Sequence, residues 1–252
     1  EQSGSNYTAT AEQFASGAPL PVTDLVIHPD GAMYFAVGGR GTESALYRVR
    51  YTGSESTEPV AEKPDAGAEL RAERRKLEAF HGRVDPQAVD AAWPYLAHED
   101  RALRFAARTA IEHQPVEQWR ARALAETEPA ALIEALVALA RASAGEKGRQ
   151  PAMIAALARI DWETLSEMQQ LALLRAYGLV FTRTGEPSES TRHTVIEALN
   201  AHYPAATQPL NKELAQLLVY LNAPGVAQRT LDLQEKAPSQ EAHLHHAREL
   251  RA

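Results

Sequence analysis

The stretch Leu96-Ala97-His98-Glu99-Asp100-Arg101-Ala102-Leu103-Arg104-Phe105-Ala106-Ala107 sets the architecture of the chain. Asp100 stands directly before a run of helix formers, where its carboxylate accepts the orphan N–H groups of a first turn. Leu103, Ala106 and Ala107 fall on one helical face, and Arg101, Arg104 and Arg108 fall on another. A helix over 100–113 follows, preceded by one over 86–97 that starts at Pro86 and should kink at Pro94. The two are joined by a turn too short for anything but an antiparallel helical hairpin.

Working outward, the same pattern predicts helices over 69–81, 115–126, 129–143, 150–159, 162–183, 188–201, 210–222, 224–236 and 239–251. Pro115, Pro129 and Pro224 sit near first turns, where a missing N–H costs nothing. Leu132, Leu136 and Leu139 form one apolar stripe, and Leu214, Leu217, Leu218 and Leu221 form another. A single hairpin cannot bury such a face by itself, so neighbours must stack. The expectation for 69–252 is therefore an α-solenoid of stacked hairpins, with an irregular helical bundle as the alternative.

The β signal is confined to residues 20–53. Val22–Ile27, Ala32–Val37 and Ala45–Tyr51 are β-rich runs separated by Pro29-Asp30-Gly31 and Gly38-Gly39-Arg40-Gly41. Aspartate–glycine between apolar runs signals a hairpin, because both residues tolerate positive φ. In the third run Leu46, Arg48 and Arg50 share one face and Tyr47, Val49 and Tyr51 the other. The result is a three-stranded antiparallel meander with two edges to protect. Residues 54–68 read as a polar linker. Residues 1–19 read as a polar segment without an initiator Met, which suggests a start at a processing site or inside a longer gene. Its Asn6-Tyr7-Thr8 fits a glycosylation sequon, a three-residue match more often accidental than used.

Of the 252 residues, 44% are hydrophobic and 23% charged, enough to bury a sizeable core. No apolar run approaches the roughly 18 residues of a membrane span. The absence of cysteine excludes disulfides, thiolate metal sites and C-x-x-C-H haem attachment within this sequence. A net charge of -7 argues against nucleic acid as a partner.

Residues 96–107 are similar to the second helix of a HEAT-type repeat. Residues 19–53 resemble the last blade of a sugar-dehydrogenase-like β-propeller. The segments Ala92-Trp93-Pro94, Glu112-His113-Gln114-Pro115-Val116-Glu117-Gln118-Trp119 and Leu218-Val219-Tyr220-Leu221-Asn222-Ala223-Pro224-Gly225-Val226 look like the helical region that follows it. Together they resemble large secreted proteins of planctomycete-type bacteria, in which a quinoprotein-like propeller precedes HEAT-like repeats and a cytochrome c domain. The resemblance implies a periplasmic or extracellular location. It also implies a middle piece whose partners are the remaining domains of a parent polypeptide or a propeller-bearing chain. Haem c and a quinone or calcium would belong to those other parts, with no cofactor in this chain.

Five arginines, Arg101, Arg104, Arg108, Arg120 and Arg122, against Glu112 and Glu117 give residues 101–122 a net charge of +3. That stripe suits an anionic partner, or it is the charge ladder of a helical stack. His243 and His246 lie at i, i+3 and are weak metal candidates, a solvated terminal helix being the commoner reason for such a pair. His28, Asp24, Asp30, Arg40 and Glu43 are the polar groups of the meander, suited to turn chemistry or to a site shared with other blades. Trp93, Tyr95, Trp119 and Trp162 could stack on a sugar but sit at packing positions. No residue is assigned to catalysis. The expected function is a non-catalytic structural and protein-interaction module. The alternatives are part of a quinoprotein-like sugar or alcohol dehydrogenase, or a stand-alone scaffold that binds a protein or polysaccharide.

Overall fold

A computed structural model describes residues 2–39, 41–56, 58, 66–237 and 239–250. They fall into two units, one within residues 7–65 and the other made of residues 2–6 with those from 66 onward.

The chain opens with a short strand pair, β1 (Gln2–Ser3) and β2 (Asn6–Tyr7); in the first unit β3 (Val22–Ile27), β4 (Met33–Gly39) and β5 (Thr42–Val49) then form an antiparallel sheet in that order. The β3–β4 turn closes where the Asp30 carboxylate accepts the Ala32 N–H at 3.0 Å and Gly31 takes a φ of +77°. The third strand begins earlier than its apolar run, because Thr42 already pairs with Gly39 across the second turn. Arg40 lies outside the described residues.

The second unit is helical: α1 (Ala68–Glu78), α2 (Ala88–Ala92), α3 (Arg101–Glu112), α4 (Val116–Ala125), α5 (Pro129–Ala142), α6 (Gln150–Leu157), α7 (Glu167–Thr184), α8 (Glu189–Leu199), α9 (Gln208–Tyr220), α10 (Val226–Glu235) and α11 (Gln240–Glu249). Each predicted helix has its counterpart, with two differences. Pro94 does more than kink the second helix: α2 ends at Ala92 and the chain tightens into a 3-10 turn, Trp93–Tyr95. Proline has no N–H to donate into a continuing helix. The stretch 162–183 is also divided. A 3-10 turn, Trp162–Thr164, ends at an extended Leu165, and α7 restarts behind Ser166. Ser166 and Gln169 cap one another reciprocally, the Gln169 side chain accepting the Ser166 N–H at 2.9 Å.

The odd-numbered helices pack in succession, α1 on α3, α3 on α5, α5 on α7, α7 on α9 and α9 on α11. Of the even ones, α4 packs on α6 and α6 on α8, beside the odd row. One contiguous core runs through them, with Trp119, Leu136, Leu139, Ile154, Leu174, Tyr177, Leu214 and Leu218 almost fully buried. Ala106, Ala107 and Ala110 of α3 and Ala135 and Ala138 of α5 are buried as well, and their small side chains let the helix backbones approach closely. Removing a large side chain here leaves a hole that the surroundings fill only in part. Leu136→Ala should lower stability by about 2–5 kcal/mol in denaturant unfolding.

Residues 2–6 complete this helical unit rather than the sheet. Ser5 is wholly buried. Asp100 accepts its N–H at 2.6 Å and its hydroxyl at 2.8 Å, while capping α3 at Ala102 N and Leu103 N. Arg74 donates to the Ser5 carbonyl at 2.6 Å, and Gln2 Oε1 accepts the Ala66 N–H at 2.8 Å. Burial alone would raise the Asp100 carboxyl, but the hydrogen bonds from Ser5, Leu103 and Ala102 outweigh it and hold it below the usual carboxylate range. A carboxyl depressed by folding stabilises the fold above its unfolded pKa of about 4, and that contribution disappears as pH falls through the folded value. Asp100→Ala should therefore cost about 1–2 kcal/mol at neutral pH. The same substitution should flatten the acid limb of a stability profile measured by urea unfolding.

Candidate functional site

Of the five arginines, three stand on α3 and two on α4, and four are engaged. Arg104 donates to the carbonyls of His98 at 2.6 Å and Glu99 at 2.9 Å. Arg108 of α3 pairs with Glu112 at 3.2 Å and with Glu134 of α5 at 2.8 Å, and Arg141 joins Glu112 at 2.8 Å. Arg120 pairs with Glu117 at 3.2 Å. Arg122 pairs with Asp90 at 2.8 Å and lies 4.3 Å from the centre of the Trp93 ring. Arg101 is exposed and makes no ion pair among the described residues. Glu112 thus bridges an arginine of α3 and one of α5, and Glu134 of α5 takes two arginines of α3, so the carboxylates tie the two helices together. Spacing along one helix could not reveal these partners, because the carboxylates come from neighbouring turns and helices.

His243 Nδ1 lies 3.2 Å from the Gln234 carbonyl, and its other ring nitrogen faces the Gln234 amide. The His246 side chain lies outside the described residues. No cluster of three or more His, Asp or Glu side chains with metal-binding geometry occurs among the described residues. Trp119 is completely buried, and its indole donates to the Gln114 carbonyl at 3.2 Å. Trp93 donates to Glu126 at 2.7 Å, and Tyr95 to Glu73 at 2.8 Å. These aromatics join helices and present no stacking surface. In the meander, Asp30 collects Tyr34, Arg48, His28 and Ala32 N–H, and these bonds, the Ala32 N–H foremost, hold its carboxyl far below the usual range. His28 and Asp30 are thereby placed in turn chemistry.

The sheet itself carries the more unusual geometry. Its register sets three cross-strand rows on one face: Ile27–Met33–Val49, Leu25–Phe35–Tyr47 and Val22–Val37–Ala45. Every one of these nine side chains is apolar or aromatic. Phe35 and Tyr47 stack, with ring centres 5.0 Å apart. The central Phe35 and Val37 are buried by their neighbours, yet Ile27 is 65% exposed, Leu25 52%, Val22 50% and Tyr47 45%. The opposite face holds the rows Val26–Tyr34–Arg48 and Asp24–Ala36–Leu46. Strict alternation would put Val22 on one face with Asp24 and Val26, opposite Leu25 and Ile27; the irregularity between Val22 and Asp24 turns Val22 onto the face of Leu25 and Ile27.

The helical unit carries grooves. One, of about 780 Å³, is bordered by Leu70, Ala102, Phe105 and Arg101 and ends at Ser3 and Gly4. Another, of about 700 Å³, is lined by Leu174, Gly178 and Phe181 of α7 and Leu217 and Tyr220 of α9. The Arg108–Glu134 pair is about four-fifths buried on both sides. A double-mutant cycle with Arg108→Ala and Glu134→Ala should give a coupling energy of about 1 kcal/mol, and Arg101→Ala should leave stability unchanged.

No protein-family model, curated protein or solved structure matches this chain.

Proposed function

We propose that this chain is a non-catalytic structural and protein-interaction module of a larger redox protein, exported to the periplasm or beyond. In this reading the sheet belongs to a β-propeller blade, and the helices form a HEAT-like solenoid that serves as spacer and scaffold. The observation that carries it is the nine-residue apolar face of β3, β4 and β5, whose outer-strand residues Val22, Leu25, Ile27 and Tyr47 stay about half or more exposed. Apolar patches of a few hundred Å² on soluble proteins commonly mark interaction sites. A pleated face of β-branched and aromatic rows is suited to a second sheet about 10 Å away. A propeller blade has four strands, one more than this sheet supplies. The occupant is therefore β-structure from the remaining domains of a parent polypeptide or from a propeller-bearing chain.

The succession of α1, α3, α5, α7 and α9 supports the solenoid reading, since each hairpin covers the apolar side of the one before. The sequence has no Cys to anchor a haem c covalently. Haem c and a quinone or calcium belong, in this reading, to the missing parts. Among the described residues no helix is long and apolar enough to cross a membrane.

The isolated protein should bind a hydrophobic fluorescent dye, and Leu25→Lys with Ile27→Lys should reduce that signal severalfold without changing helical unfolding. A photoreactive side chain at Leu25, introduced in the source organism, should crosslink to β-strand segments of a parent or propeller chain. Absence of both dye binding and such crosslinks overturns the reading. Quinone-dependent sugar oxidation by this chain alone would do so as well.

A further inference from the structure

The segment 2–6 is held the way a receptor holds a peptide. Ser5 is 95 residues from Asp100 in sequence, yet the carboxylate takes both its N–H and its hydroxyl. Arg74, from α1, takes the Ser5 carbonyl, so both backbone groups of that residue are read. Gly4 is read by exclusion. Its φ is +57°, and a side chain there would run into the Asp100 carboxylate. Gly67 is the matching small residue on the receiving side, since a Cβ on it would meet the Gly4 carbonyl and the Arg71 guanidinium. The Ser5 hydroxyl, fully buried, reaches Asp100 at 2.8 Å. Beyond the segment, the groove of about 780 Å³ continues along Leu70, Ala102 and Phe105, the last 58% exposed.

We propose that the α1–α3 end of the helical unit is a peptide-binding site selective for a glycine–serine dipeptide, occupied in this chain by its own residues 2–6. It acts as a latch. Residues 7–65 leave the helical unit at Asn6 and return at Ala66, and Gln2 Oε1 bonds to Ala66 N, so the latch ties the departing strand to the returning one. A Gly-Ser segment of another chain, flanked by apolar residues that lie against Leu70 and Phe105, would compete for the same contacts and free the departing end. Tethering gives the internal segment an effective concentration of about millimolar, so a competitor must exceed that or bring added contacts.

The test uses the full chain with Gly4→Val, which expels the internal segment, and the synthetic peptide Gln-Ser-Gly-Ser-Asn. Titration followed by the amide resonances of Ala102 and Leu103 should saturate. The peptide Gln-Ser-Val-Ser-Asn should bind at least tenfold more weakly, and the unaltered protein should bind the first peptide at least tenfold more weakly than the variant does. Lack of saturation, or equal binding of both peptides, overturns the proposal. Should Gly4→Val cost the helical unit its fold, Ser5→Ala carries the same titration: the serine peptide must then displace the hydroxyl-less segment, and failure to do so is equally decisive. The sheet takes no part in these contacts, so neither result bears on the proposed interaction of its apolar face.

Discussion

Alanine at the contact between α3 and α5 is the constraint on which the helical unit rests. Ala106, Ala107, Ala110, Ala135 and Ala138 are buried with almost no accessible surface, and larger side chains there would push the helix axes apart. The closeness has an electrostatic corollary at the edge of the same contact. It brings Glu134 of α5 within reach of Arg104 and Arg108 of α3, and Glu112 within reach of Arg141. Packing decides the spacing, and the charges then lock the rotation of each helix about its axis.

The sheet obeys the opposite rule. In the helices, apolar side chains are paired off across a contiguous core that includes no meander residue. In the sheet, hydrogen bonding is complete on the central strand, but the apolar rows on the outer strands remain open. Asp30 stabilises the β3–β4 turn and joins it to β5 through Arg48, so the local fold is specified without a partner. Burial of its apolar face is what the β unit alone cannot supply.

Much of this was legible in the sequence, for physical reasons that differ from element to element. Helix starts were marked by Asp100, Pro115 and Pro129, because capping and proline chemistry act within one turn. The break at Leu165 was hidden, since Trp162 and Leu165 continue an apolar helical spacing and only the Ser166–Gln169 cap betrays the restart. The arginines were legible as a row on α3, but their engagement was not, because the partners lie on other turns and other helices. Residues 2–6 were illegible altogether. A short polar run with glycine and serine has no periodicity, and what gives it structure is a carboxylate 95 positions away.

Because the chain leaves the helical unit at Asn6 and re-enters it at Ala66, the intervening 59 residues have the topology of an inserted cassette. Such an arrangement separates two histories. The helical unit can change without the sheet, and the sheet can be exchanged or remodelled at a single junction between Asn6 and Ala66. A natural chain lacking the sheet would need only to join the two flanks of that junction, and the buried serine would keep its place.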